Sequence, residues 1–307
     1  MDMRIIINQM AVLFILIAAG YVSGMIKMLN PDGVKTLSKV VINISTPCTI
    51  LYSVLGDTDN ITGSRTIIFV LLTLIAIALF FFIAIPLARA LSSKNSNSDS
   101  GLYASMIAFG NVGFMGYPVT RAIFGAVSMF YVALFNIIFN IIAFSVGIIL
   151  VSGKGVKVNL RVLLNGTLVA SLVSFLIVFT HIRAPSIIVD AISLASGVNT
   201  PCAMLVIGAT LSQVPVKDVF NKWQLYPVTV LKMIVIHVVT WLVFKQFVKD
   251  ELLFGILVVL SGMPIAASVA MIAVEYGGDE RLASSGIFLT TLLSGVTIPL
   301  IVYVFLM

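Results

Sequence analysis

Several stretches of the chain, four of them matching single predicted helices, are long enough to cross a bilayer and contain no Asp, Glu, Lys or Arg. These four are residues 5–26, 66–88, 252–274 and 282–307. A helix needs about 20 residues, each rising about 1.5 Å, to span the hydrocarbon core of a bilayer. Only 10% of all residues are charged, whereas soluble domains carry about 25%. The sequence therefore predicts an all-α integral membrane protein.

Charged, Gly, Pro, Asn and Ser residues divide the apolar sequence into ten predicted transmembrane helices. The weakest division lies between the fourth and the fifth, where only the turn sequence Gly125-Ala126-Val127-Ser128 interrupts a run that is too long for one crossing. The first apolar run exceeds the roughly 7–15 residues of a secretory signal, so we expect it to be retained. The predicted ranges are 5–26, 36–55, 66–91, 101–125, 127–151, 160–180, 185–212, 222–248, 252–276 and 281–306.

The basic residues of the loops predict how the helices are oriented, because Lys and Arg accumulate in cytoplasmic loops. The odd-numbered connections carry more than twice as many of them as the other side. We therefore expect a multi-pass protein of the cell membrane with both termini extracytoplasmic. Basic residues scattered in this way do not form the patch that binds nucleic acid. The odd connections contain Lys27, Lys35, Lys39, Arg89, Lys94, Lys154, Lys157, Arg161, Lys217, Lys222 and Arg281, and the other side contains Arg4, Arg65, Arg183, Lys245 and Lys249.

Two short sequences recur in the second half of the chain. Ser45-Thr46-Pro47-Cys48 in the second predicted helix resembles Asn199-Thr200-Pro201-Cys202 in the seventh, and Gly116-Tyr117-Pro118 in the fourth resembles Gly262-Met263-Pro264 in the ninth. This pairing is the one that two five-helix repeats require. Since five is odd, the second repeat enters the membrane from the opposite side, so the repeats are inverted. We expect the first repeat to occupy residues 1–153 and the second 154–307.

The fourth and ninth predicted helices contain the residues that most disfavour a regular helix. The segment 110–118 holds three glycines, Asn111 and Pro118, and the segment 261–264 ends on Pro264. Proline removes a backbone donor, and glycine lowers the cost of unwinding. Each segment alone could be an ordinary proline kink. Their matching positions favour two broken helices with a site between them, because irregular backbone inside a membrane is tolerated only where it is buried in protein or lines a wet cavity.

The polarity of the broken helices predicts an anion site. The second halves of both helices are expected to begin at Pro118 and Pro264, with their amino ends near the middle of the membrane. Free N–H groups and a partial positive charge at each amino end favour an anionic ligand. The predicted substrate-binding residues are Asn111, Gly113, Gly116, Tyr117, Pro118, Gly262, Met263 and Pro264.

Three charged residues lie inside predicted helices, where charges usually serve a function. Arg121 would strengthen the positive field or else reach the membrane surface. Lys232 lies too deep for that, so we expect a functional role or a buried ion pair. Asp190 is its candidate partner, a proton carrier, or an interfacial carboxylate. His181 and His237 lack clustered ligands, so neither a metal site nor a cofactor is expected.

The chain resembles the auxin efflux carrier family, the bacterial relatives of the plant PIN exporters. The segment 110–118 is similar to the family's Asn-x-Gly-Phe-x-Gly-x-Pro sequence, and the similarity continues through 200–209, 263–266, 290–294 and 298–300. The resemblance implies ten helices, two crossed broken helices, export of organic anions by an elevator-like movement, and a homodimer. It supports Asn111, Pro118 and Pro264 at the crossing. This chain lacks the long hydrophilic central loop of the plant exporters, which argues against auxin as the substrate.

The sequence thus predicts a secondary active transporter that exports a small carboxylate, with a proton or sodium ion as the possible coupling ion. A channel or a ligand-sensing receptor module could use the same architecture. An enzyme is disfavoured, because no midplane Asp pair, Ser/His pair or His-rich cluster appears in the sequence.

Overall fold

A computed structural model describes residues 3–55, 61–92, 97–152, 165–180 and 184–306. Throughout these ranges the secondary structure is helical, and no strand longer than an isolated bridge occurs in them. Seven of the helices are long and apolar enough to cross a membrane. The prediction of an all-α protein with several membrane-spanning helices is confirmed.

The helices are numbered here in chain order. The bounds are α1 Met3–Met25, α2 Pro31–Leu55, α3 Gly63–Leu91, α4 Asn97–Ala108, α5 Tyr117–Phe124, α6 Ser128–Ser152, α7 Gly166–Thr180, α8 Ser186–Leu211, α9 Val216–Asn221, α10 Leu225–Phe244, α11 Glu251–Ser261, α12 Ala267–Tyr276 and α13 Glu280–Leu306. Single π-helical turns interrupt α2 at Val41–Ser45, α6 at Ala143–Gly147 and α10 at Leu231–Val235, and another, Val112–Gly116, precedes α5.

The helix ends follow local signals in the sequence. α2 begins at Pro31, five residues before the predicted start, because the Asn30 side chain caps it by accepting a 2.8 Å hydrogen bond from the Gly33 N–H. The turn predicted between the fourth and fifth spans is confirmed: α5 ends at Gly125, which has a φ of +78°, and α6 begins at Ser128. A left-handed or mirror-region φ of this kind favours glycine. The short helix α9 was not predicted, and the predicted repeat boundary at 153/154 lies outside the described residues.

The described chain divides into two compact units. The first contains residues up to 71, 113–137 and 164–213. In it α1 packs against the second half of α8 at backbone contact, because a Cβ on Gly208 would collide with the backbone of Ile17, and one on Gly20 with that of Leu205. Close approach through small residues is typical of helices that pack inside membranes.

Polar side chains join helices within the first unit. The Asn199 Oδ1 accepts hydrogen bonds from Thr46 Oγ1 at 2.9 Å and from Ser45 Oγ at 3.2 Å, which links α8 to α2. The Asn43 Oδ1 accepts one from the Gly166 N–H at 3.0 Å, at the start of α7. These amides act as the interhelical hydrogen-bonding groups that such residues commonly provide in membranes.

The second unit contains residues 72–112, 138–163 and 214–307 in the range that is described. Here α4 packs against α6, α10, α12 and α13. Phe109 lies at the centre of this packing, where its ring makes edge contacts with Phe81 and Phe139. The unit therefore surrounds the point at which α4 ends.

Candidate functional site

Two interrupted helices meet within the second unit. α4 ends at Ala108 and α11 ends at Ser261, and each is followed by non-helical backbone. Residues 109–111 and 264–266 run antiparallel and are joined by two main-chain hydrogen bonds: the Asn111 N–H donates to the Pro264 carbonyl at 2.7 Å, and the Ala266 N–H donates to the Phe109 carbonyl at 3.1 Å. We call these two segments the crossing. Two of its buried N–H groups thus find their acceptors across the crossing, as a buried irregular segment requires.

A side chain from a third helix completes the crossing. The Ile265 N–H points away from residues 109–111 and donates to the Thr290 Oγ1 of α13 at 3.1 Å. The same hydroxyl donates to the Gly286 carbonyl at 2.7 Å. Thr290 is buried and therefore uses its hydroxyl as both acceptor and donor. The sequence did not single out this role, although the Thr290-Thr291 pair belongs to the sequence that resembles the family.

The second half-helices do not begin at the proline residues that the sequence predicted as their starts. Pro264 belongs to the crossing, and α12 begins only at Ala267, because the extended 264–266 backbone is held by hydrogen bonds that a helix could not make. Pro118 does lie in the first turn of α5. However, the preceding π turn Val112–Gly116 is already helical, so the helical backbone begins before Pro118. The expectation that the half-helices begin at Pro118 and Pro264 is therefore corrected to 112 and 267.

Lys232 lies against the crossing. It is part of the π turn of α10 and is only 1% exposed. Its Nζ lies 3.2 Å from the position that a Cβ on Gly110 would occupy, and 5.9 Å from the centroid of the Phe80 ring. Glycine at position 110 thus allows the amino group to approach the backbone of the crossing.

The predicted ion pair between Lys232 and Asp190 is not seen. Asp190 is exposed on α8, and within the described chain Lys232 makes no ion pair. A buried ammonium group without a carboxylate partner is unfavourable unless a ligand or another hydrogen-bonding group compensates it. Lys232 therefore places an amino group beside the crossing without a carboxylate partner in the described chain.

His237 lies five residues after Lys232 on α10 and contacts the end of α11. Its Nδ1 is 3.2 Å from Ser261 Oγ, and because that hydroxyl donates to the Val258 carbonyl, the ring nitrogen is the donor in this pair. The Nε2 is then an acceptor, and it has no hydrogen-bond partner among the described residues. His237 is buried beside Gly262, where an added Cβ would lie only 3.1 Å from its Nδ1.

The structure divides the predicted site residues between the two units. Asn111, Gly262, Met263, Pro264 and Lys232 belong to the second unit and are buried at or beside the crossing. The remaining residues belong to the first unit, in which Asp190 lies on α8, the π turn and α5 carry the others, and Arg121 is partly exposed. The residues of the π turn and α5 are Gly113, Gly116, Tyr117, Pro118 and Arg121.

The Thr290 hydrogen bond offers a test of the crossing. We expect Thr290→Val to lower the free energy of unfolding by about 1–3 kcal/mol, because the buried Ile265 N–H loses its acceptor. Its neighbour provides a matched control: the Thr291 hydroxyl is buried but has no partner in the described chain, so Thr291→Val should leave stability unchanged or raise it. Unfolding of both variants in detergent measures the difference. Equal stability of the two would show that Thr290 does not support the crossing.

A family model described as "Membrane transport protein" matches residues 5–160 and 154–302, which is nearly the whole chain. The chain belongs to the auxin efflux carrier family. It is accordingly a multi-pass membrane transporter, and the interrupted helices at its crossing are features of a family member.

Relatives of this family member include two archaeal proteins. An "Uncharacterized transporter" of Methanothermobacter thermautotrophicus is 27% identical, over 93% of this chain and 94% of the relative. One of Methanocaldococcus jannaschii is 26% identical, over 94% of this chain and 95% of the relative. A protein of Rhizobium meliloti named "Putative malonate transporter" is 22% identical, over 68% of each chain.

Proposed function

We propose that this protein is a secondary active transporter that exports a small organic anion, a carboxylate, by elevator-type alternating access. The observation that carries the proposal is the buried Lys232 amino group beside Gly110 at the crossing. A carboxylate is a natural ligand for it, since a buried charge requires a partner of opposite sign. The name of the Rhizobium meliloti relative gives independent support for a carboxylate cargo.

The polar groups at the crossing suit one carboxylate better than a cation. Asn111 is 5% exposed and follows Gly110 directly, and an amide can donate hydrogen bonds to a carboxylate oxygen. No group of three or more His, Cys, Asp or Glu residues that could hold a metal ion occurs in the described ranges. We assign Asn111 and Lys232 as the primary anion-binding pair, with Gly262, Met263 and Pro264 shaping the site.

The topology proposal is an inverted arrangement of two five-helix repeats, 1–153 and 154–307, with both termini extracytoplasmic. The recurrence of Thr-Pro-Cys at 46–48 and 200–202 supports it, as do the helix interruptions near residues 110 and 263. An odd number of helices in each repeat gives the two repeats opposite orientations. Gly113, Gly116, Tyr117 and Pro118 are proposed to contribute to the same anion pathway from the first repeat.

Malonate binding and counterflow test the proposed function. We expect malonate at about 100 times its dissociation constant to stabilise the purified protein by about 2.7 kcal/mol, because it binds only the folded state. Choline at the same concentration serves as the cationic control. In proteoliposomes, labelled malonate should accumulate by saturable counterflow against unlabelled malonate inside. Preferential stabilisation by choline would contradict the anion assignment, and flux without saturation or counterflow would indicate a channel.

A further inference from the structure

Five hydroxyl groups in the second unit have no hydrogen-bond partner among the described residues, and three of them lie on different helices. These three belong to Ser105 of α4, Thr229 of α10 and Ser285 of α13. Each residue is at least nine-tenths buried. A hydroxyl in this position normally bonds to protein or to ordered water, since an unpaired buried polar group is costly. We call these residues the hydroxyl cluster.

The three helices place the hydroxyl cluster at one level of the second unit. α4, α13 and the first turns of α10 pack against one another. The Met106 side chain lies directly against Gly286. Met106 follows Ser105, and Gly286 follows Ser285. Leu225 Cδ2 lies 3.4 Å from the position of a Cβ on Gly286. Thr229 is one helical turn after Leu225, on the same side of α10. The hydroxyl cluster therefore belongs to three helices that pack together near Gly286.

The hydroxyl cluster lies between the crossing and the amino ends of two helices. Thr229 comes three residues before Lys232, and Ser285 comes five residues before Thr290, which binds the crossing. Toward the other side, Ser285 is five residues from the start of α13 and Thr229 four from the start of α10. At about 1.5 Å per residue, Thr229 and Ser285 lie roughly 6–8 Å along the helix axis from the starts of their helices. The exposed ends of the helices are joined there by the Lys222–Asp279 ion pair, at 3.3 Å.

We propose that Ser105, Thr229 and Ser285 line a water-filled path that delivers protons from one membrane surface to the Lys232 amino group. A hydroxyl group can accept one hydrogen bond while it donates another, which is what proton relay along water and hydroxyls requires. At the end of the path, hydronium transfers a proton to the Lys232 amine, giving the ammonium group and water, and the reverse step returns the proton. A bound metal cation is disfavoured, because the Lys232 charge would repel it.

Few other titratable groups lie near the path, so Lys232 is its natural end point. On α10 itself the other titratable side chains are Tyr226, six residues before Lys232, and His237, five residues after it. Among the side chains that the structure describes in the second unit, the titratable or charged ones on the helices that pack against Lys232 are Arg89 of α3, Tyr103 of α4, and Glu280, Arg281 and Tyr303 of α13. The inference goes beyond the proposed function and holds for any cargo.

Cysteine labelling tests whether the path contains water. Thr229→Cys, Ser285→Cys and Ser105→Cys are made separately in a protein carrying Cys48→Ala and Cys202→Ala, and are treated with 2-aminoethyl methanethiosulfonate. Labelling requires a hydrated thiolate. We expect each cysteine to react at least roughly tenfold faster than Val228→Cys, a matched control that is fully buried beside Thr229. Rates no faster than that of the control would overturn the proposal.

Reductive methylation of Lys232 tests whether the path reaches the amino group. Formaldehyde and cyanoborohydride modify only unprotonated amines, and mass spectrometry measures the product. We expect Lys232 to be modified faster as pH rises, and Thr229→Val with Ser285→Ala to slow that modification roughly tenfold, because the path loses two of its polar groups. Ser174→Ala, which removes a buried hydroxyl of the first unit, should leave the rate unchanged. A failure of Lys232 to react at any pH, or the same rate in all variants, would contradict the proton path. Neither measurement requires transport, so the proposed function can fail separately.

Discussion

Replacing Lys232 with methionine is expected to abolish transport of the carboxylate while the protein still folds and reaches the membrane. Methionine has nearly the same length and is apolar, so it fills the buried position without the cost of an uncompensated charge. The anion loses the amino group that lies beside Gly110. Because a desolvated charge pair contributes at least about 2–5 kcal/mol, we expect counterflow to fall by at least about 30-fold.

The control for this change is Lys245→Met, directly after the end of the same helix. Lys245 is exposed, and its Nζ stacks over the Trp241 ring at 4.3 Å from the ring centroid. It carries the same charge but lies away from the crossing, so its loss should leave counterflow within about twofold of wild type. Counterflow in proteoliposomes, normalised to the amount of reconstituted protein, measures both variants. Unchanged transport by Lys232→Met would remove Lys232 from the anion site.

Substitution of Asn111 should weaken binding in a defined order. Asn111→Ala keeps the main-chain hydrogen bond to Pro264, so the crossing is preserved, but the bound carboxylate loses an amide donor. The lost bond to a charged ligand is worth about 1.5–3 kcal/mol, which raises the dissociation constant roughly ten- to hundredfold. Asn111→Asp should be weaker still, because the new carboxylate repels the ligand and competes with it for Lys232.

Isothermal titration with malonate measures this order in detergent. Asn140→Ala, which alters an amide inside α6, is the control and should bind as wild type does. Equal affinity in the wild type and both Asn111 variants would exclude Asn111 from the site. Restoration of Asn111→Asp binding by Lys232→Met would show instead that the two side chains do not compete for one anion.

The helical architecture could be predicted because its signals are local. Long stretches without charged residues indicate helices that lie in a membrane rather than in water. Gly125 marks the turn between α5 and α6, because its backbone takes a conformation that favours glycine. The helix interruptions near residues 110 and 263 were likewise visible, since glycine and proline weaken a helix where they stand. Local rules thus predicted where the chain departs from a helix.

The partners of the interrupted segments could not be predicted in the same way. The crossing is closed by pairs that are distant in sequence, namely Asn111 with Pro264 and Ile265 with Thr290. These contacts shift the start of α12 to Ala267, which proline chemistry alone placed at Pro264. The position of Lys232 beside Gly110 was also inaccessible, because the sequence gives the depth of a residue in its helix but not the neighbour it faces.

The crossing rests largely on peptide groups, and this limits what amino-acid replacement can report about it. The Asn111 N–H and the Ala266 N–H persist whatever side chain is placed at those positions, unless proline is introduced. An alanine scan across 109–111 and 264–266 would therefore leave these two bonds intact and understate how much the protein depends on them. Replacing single amides with esters by chemical synthesis or nonsense suppression would remove one donor at a time. The backbone itself is the element to mutate here.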